Sequence, residues 1–68
     1  MFKNLKAEMA RNGHKNADVA QILGISRQAY EWKMKTGKFK VTEAKKLCEL
    51  YSRDFDYLFE TGDEAIGA

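Results

Sequence analysis

The chain has 68 residues and a mass of 7.8 kDa, room for one small domain. A single cysteine, Cys48, rules out an intrachain disulfide, and a single histidine, His14, leaves too few ligands for an ordinary metal site. The net charge of +2 is small, but residues 1–40 hold nine basic against three acidic residues, while residues 41–68 hold three against seven.

A front half at +6 and a back half at −4 suit a polyanion on one face. No apolar run approaches the ~20 residues of a membrane span, and the chain does not open on a signal-peptide pattern. A soluble, cytoplasmic protein is expected, standing on its own core without a cofactor or small-molecule substrate.

Apolar spacing is helical throughout, and strand signals are negligible. Phe2, Leu5 and Met9 fall at i, i+3 and i+7 and predict a first helix, ended at Asn12-Gly13, where glycine can turn left-handed. Asn16 has the chemistry of an N-cap for a second helix, whose buried face is Val19, Ala20, Ile22 and Leu23 and whose stop is Gly24. Ser26 caps a third helix, from Arg27 to about Thr36, with Tyr30 and Met34 inward and Gly37 at its end. After the basic link Lys38-Phe39-Lys40-Val41, Thr42 is the expected cap of a fourth helix. There Ala44, Leu47, Cys48 and Tyr51 repeat at i, i+3, i+4 and i+7, with Cys48 as a packing residue. Asp54 caps a short fifth helix, and 61–68 read as a flexible tail on a domain over 1–60.

Two short helices joined by a tight glycine turn must cross steeply. The crossing needs a small residue, here Ala20, a turn residue tolerant of positive φ, here Gly24, and apolar plugs, here Val19, Leu23, Ile25 and Tyr30. That set describes a helix-turn-helix, whose second helix lies in the DNA major groove. The stretch Asn-Ala-Asp-Val-Ala-Gln-Ile-Leu-Gly-Ile-Ser-Arg-Gln-Ala-Tyr over 16–30 resembles the same segment in the Cro/CI phage-repressor family, the lambda-repressor-like or XRE-type regulators. The likeness spans roughly residues 3–60 and includes the Asp-Tyr-Leu-Phe run at 56–59. The resemblance implies an all-α, compact five-helix DNA-binding domain acting as a transcriptional repressor in a bacterial cell or phage-infected host. Lys35-Thr36-Gly37 departs from the Asn-Gly turn commoner in the family.

A recognition helix offers its first turn and the outward positions one turn later. Ser26, Arg27, Gln28, Glu31 and Trp32 are therefore the base-reading candidates. Gln28 can be bidentate to adenine, and Arg27 can pair with guanine or grip a phosphate. Glu31 either accepts from cytosine N4 or orients Arg27 at i, i+4. Trp32 lies against the DNA edge or packs on a neighbouring loop at Phe39. Lys33, Lys35, Lys15, Lys38 and Lys40 are phosphate candidates, and His14 is solvent-exposed or a minor contact of the same kind. Asn16 matches the family position where a side chain and the helix N-terminus together hold a phosphate.

One recognition helix reads few base pairs, so a homodimer on a two-fold operator is expected. Phe55, Tyr57, Leu58 and Phe59 are the candidate dimer contacts; the competing reading has Phe55, Leu58 and Phe59 closing the core with only Tyr57 exposed. No nucleophile–base set or glycine-rich phosphate loop points to an enzyme. An antitoxin-like or other protein-binding module using the acidic C-terminal half is the alternative, and an architectural binder with little sequence preference is a third.

Overall fold

The computed structural model describes residues 1–61 and is all-helical, with no strand among the described residues. Its elements are α1 (Lys3–Arg11), α2 (Asn16–Leu23), α3 (Arg27–Thr36), α4 (Val41–Tyr51) and α5 (Phe55–Leu58). Of the tail expected over 61–68, all but Thr61 lies outside the described residues.

Local chemistry sets the helix ends. Gly13, Gly24 and Gly37 all have positive φ, as the stop signals require. Ser26 caps α3 by accepting the Ala29 N–H at 3.0 Å. Two expected caps are corrected. Asn16 is the first residue of α2 and Thr42 lies inside α4, one residue past its start. In each case a carboxylate three residues into the helix reaches back instead: Asp18 accepts the Lys15 N–H at 2.8 Å, and Glu43 accepts the Lys40 N–H at 2.9 Å. An acidic side chain there also meets the positive end of the helix dipole.

The core draws on every helix: Leu5 and Met9 from α1, Val19, Ala20 and Leu23 from α2, Tyr30 and Met34 from α3, Leu47 and Tyr51 from α4, and Leu58 from α5. Ile22, expected on the buried face of α2, is exposed, because Val19, Ala20 and Leu23 already fill that stripe. An aromatic cluster closes one end. Phe2 meets Phe39 and Phe59 with ring centroids 5.9 and 5.4 Å apart, and Phe39 meets Tyr30 and Phe59 at 6.0 and 5.5 Å. Phe2 enters this cluster from a left-handed conformation, φ 59°, which costs a non-glycine residue about 1–2 kcal/mol and is offset by burying its ring. Phe39, read from sequence as part of a basic link, is thus a structural aromatic.

Two carboxylates join elements across the core. Glu8, 3% exposed, accepts at Oε2 from Arg11 Nη1 (2.6 Å) and Tyr57 Oη (3.2 Å) and forms an ion pair with Arg53 Nε at 3.3 Å, tying α1 to α5 and to the link before it. The Asn4 amide adds a bond to the Tyr57 carbonyl at 2.9 Å. Glu43 pairs with Lys33 at 3.2 Å, with side chains only 9% and 12% exposed, and so clamps α4 to α3. Burial pushes the Glu43 carboxyl up, but the Lys40 N–H, the Lys33 hydrogen bond and the two lysine charges outweigh it and hold the group below its ordinary 4.5. No described helix is long and apolar enough to cross a membrane.

Removing one partner of a nearly buried ion pair strands the other, which typically costs several kcal/mol. Lys33→Ala is expected to lower the unfolding free energy by about 2 kcal/mol at neutral pH, the lower end because the pair keeps some solvent. The Glu43 contribution is present above its unfolded value near 4.5 and is lost as pH falls through the lower folded value. Urea titrations of the two proteins should therefore differ most at neutral pH and converge in acid; curves equally separated at pH 7 and pH 3 would refute the pairing.

Candidate nucleic-acid interface

The two faces of α3 are set by how its start is built. After α2, Gly24 turns left-handed at φ 76°, and the Ile25 N–H closes back onto the Ala20 carbonyl at 2.9 Å. Ile25 then packs on the core and Ser26 caps α3, so the link is only three residues long. Tyr30 and Met34 face inward, Tyr30 fully buried. Gln28, Trp32 and Lys35 are consequently exposed along the opposite side, and Arg27, one turn before Tyr30, is exposed at the start of the helix.

Glu31 lies at the flank of that exposed surface. Its Oε2 accepts from Arg27 Nη1 at 3.2 Å and from Asn16 Nδ2 at 3.3 Å. This brings the first residue of α2 beside the middle of α3, and it shows the i, i+4 contact with Arg27 that one of the two readings of Glu31 expects. Both members of the Arg27–Glu31 pair are well solvated, at 59% and 41% side-chain exposure, so it contributes about 0.5 kcal/mol or less to stability. Asn16, Glu31 and Lys35 line one recess together with Lys6, Met1 and Met34. Lys6 was not among the expected contacts. Its only signal in sequence is membership of the basic front half, because its approach to α3 depends on how α1 packs.

The remaining candidates divide. Lys15, Lys38 and Lys40 are exposed. Lys33 is not an available phosphate contact: its ammonium is spent on Glu43 and lies 3.5 Å from the Lys38 carbonyl. Trp32 does not pack on Phe39, which is taken up by Phe2, Tyr30 and Phe59; it is 51% exposed, with Lys38 Nζ 5.8 Å from its ring centroid. That stacking follows from the end of α3, where Thr36 Oγ1 donates to the Trp32 carbonyl and accepts the Lys38 N–H, folding the link back. His14 is half-buried and shares a 2.8 Å hydrogen bond with Tyr51 Oη, and burial, with Glu8 nearby, pushes the Tyr51 hydroxyl up to about 12.

A second surface is apolar. Val41, 72% exposed, and Phe55, 57% exposed, border a groove completed by Met1, Ala44 and Phe59. Among the four candidate dimer contacts, Leu58 is fully buried and cannot reach a partner. Tyr57 is half-buried, its hydroxyl on Glu8 and Arg53 4.8 Å from its ring centroid. Of the four, the exposed one is Phe55, stacked on Phe59 at 5.0 Å; Leu58 and Phe59 close the core as the competing reading expects, but Phe55, not Tyr57, faces outward. Cys48 packs at the edge of the core, and burial, with Asp54 and Glu49, pushes its thiol up, away from reactive thiolate character.

No protein-family model matches the chain, and no curated protein or solved structure matches it.

Trp32 is the sole tryptophan, so its emission reports this face directly. Acrylamide is expected to quench the free protein nearly as well as it quenches a short tryptophan peptide. A blue-shifted emission resistant to quencher would contradict the exposed placement.

Proposed function

We propose that this protein is a sequence-specific binder of duplex DNA, a transcriptional repressor of the Cro/CI type that inserts α3 into the major groove of a two-fold symmetric operator. The observation that carries the reading is the division of α3: Tyr30 and Met34 anchor it, Gln28, Trp32 and Lys35 are exposed on the side away from the core, and Arg27 is exposed in its first turn. A major groove about 12 Å wide admits one helix, and side chains of these types match its donors and acceptors.

Under this reading the roles follow from chemistry. Gln28, exposed in the first turn of α3, reads adenine through its amide; Arg27 takes guanine or a phosphate. Lys35, Lys15 and Lys38 neutralise phosphates, and Lys6 joins them from α1. Asn16, the first residue of α2, contributes its amide at the positive end of that helix. Lys33 holds α4 in place and meets no DNA.

A single α3 reads too few base pairs to be selective in a genome, so two copies bind half-sites about one helical turn, ~34 Å, apart. The exposed Phe55 and Val41 supply the apolar contact between them. The same groove favours the second reading, a module that binds another protein through this face, in which case DNA plays no part.

The test is enrichment of duplexes from a random pool, followed by titration at fixed salt. The wild type should prefer one palindrome over mixed sequence by ~10³ or more. Gln28→Ala should cost about 1–3 kcal/mol and relax the preference at one base pair in each half-site. Lys35→Ala should weaken all duplexes alike and reduce the salt slope by about 1 per copy. Absence of duplex binding at low salt would overturn the proposal in favour of the protein-binding module, and binding without preference would leave an architectural protein.

A further inference from the structure

An acidic side chain on a surface meant for a polyanion needs an account. Glu31 contributes little to stability as a solvated partner of Arg27, yet it sits where four cationic or amide groups gather: Arg27 and Asn16 bonded to its Oε2, and Lys6 and Lys35 lining the same recess. In the free protein the carboxylate thus occupies donors that a phosphate or base edge would otherwise take. Any duplex must either take Arg27 and Asn16 away from it or give Glu31 a donor of its own.

We infer that Glu31 is the specificity-determining residue of this face, an internal anion that penalises binding to mixed-sequence DNA and is compensated where the major groove offers it an exocyclic amine, the N4 of cytosine. The inference rests on the DNA-binding reading above and adds to it the base that the face selects. Two effects combine. Phosphates repel the carboxylate wherever α3 lies along a duplex, whatever the sequence. Cytosine N4 and adenine N6 are both amine donors in the major groove, but N6 sits beside the N7 acceptor, which repels a carboxylate; an orientation with cytosine N4 within reach therefore best lets Glu31 accept a charge-assisted hydrogen bond while Arg27 turns to the neighbouring guanine or phosphate. Selectivity then comes from raising the cost of the wrong sites, not only from tightening the right one.

Glu31→Gln keeps the shape and the ability to accept from Arg27 and Asn16 but removes the charge. At a half-exposed position it should unfold at the wild-type temperature. Its affinity is measured beside that of the wild type, at one salt concentration, for a mixed-sequence duplex and for the duplex the wild type enriches from a random pool. The variant is expected to bind mixed sequence about tenfold tighter and the enriched duplex no tighter, a loss of about tenfold in discrimination. Enrichment repeated with the variant should lose a C·G preference at one position of each half-site. An equal rise on both duplexes, or no change on either, would overturn the inference while leaving the DNA reading intact. A wild type that binds all duplexes alike also overturns it, and a wild type that binds no duplex overturns the DNA reading and this inference with it.

Discussion

The ring of Tyr30 is fully buried, stands 6.0 Å from Phe39, and sends its hydroxyl to Met9 Sδ at 3.1 Å. Through that one side chain α3 is held to α1 and to the link before α4, and the orientation of everything on its outer side follows. Burial pushes the Tyr30 hydroxyl well above its ordinary value, so it remains a neutral donor. In a domain with so little interior, an aromatic of this size is a large share of the core, and truncating it would cost about 3–5 kcal/mol. With Tyr30 in place, the three-residue link at Gly24 leaves α3 one way to lie against α2.

Charge is arranged around this anchor in two distinct ways. Glu8 and Glu43 are nearly buried and each gathers several donors, so they fix elements to one another: α1 to α5, and α4 to α3. Glu31 is solvated, and its pairing with Arg27 and Asn16 organises a surface instead of a core. The basic front half of the sequence is therefore not uniformly displayed. Lys33 is internal, while Lys15, Lys35, Lys38 and Lys40 are presented to solvent.

Most of the helical framework was legible from residue spacing. Glycine stops and the Ser26 cap are local chemistry, visible wherever the residue types occur in order, and the four-residue α5 after Asp54 was readable in the same way. The caps at Lys15 and Lys40 were misread because a carboxylate three residues into a helix can replace a capping side chain, and both sequences offer either option. Glu8 was missed although it lies three residues after Leu5 on the same stripe; a charged residue at an apolar register position was the available signal. Phe39, Lys6 and the Lys33–Glu43 pair depend on contacts far apart in sequence, which periodicity does not encode. The aromatic fifth helix shows the same limit: its apolar content was plain, but which ring faces outward is decided by Glu8 capturing the Tyr57 hydroxyl.

A duplex seated on the start of α2 and the outer side of α3 would touch both at once. The most direct measurement is an amide chemical-shift titration of the ¹⁵N-labelled protein with a duplex enriched from a random pool. The largest changes are expected at Asn16, at Ser26 to Gln28, and at Glu31, Trp32 and Lys35, with the Trp32 indole among them. Changes confined to the groove around Val41, Ala44 and Phe55, with α3 silent, would contradict that seating.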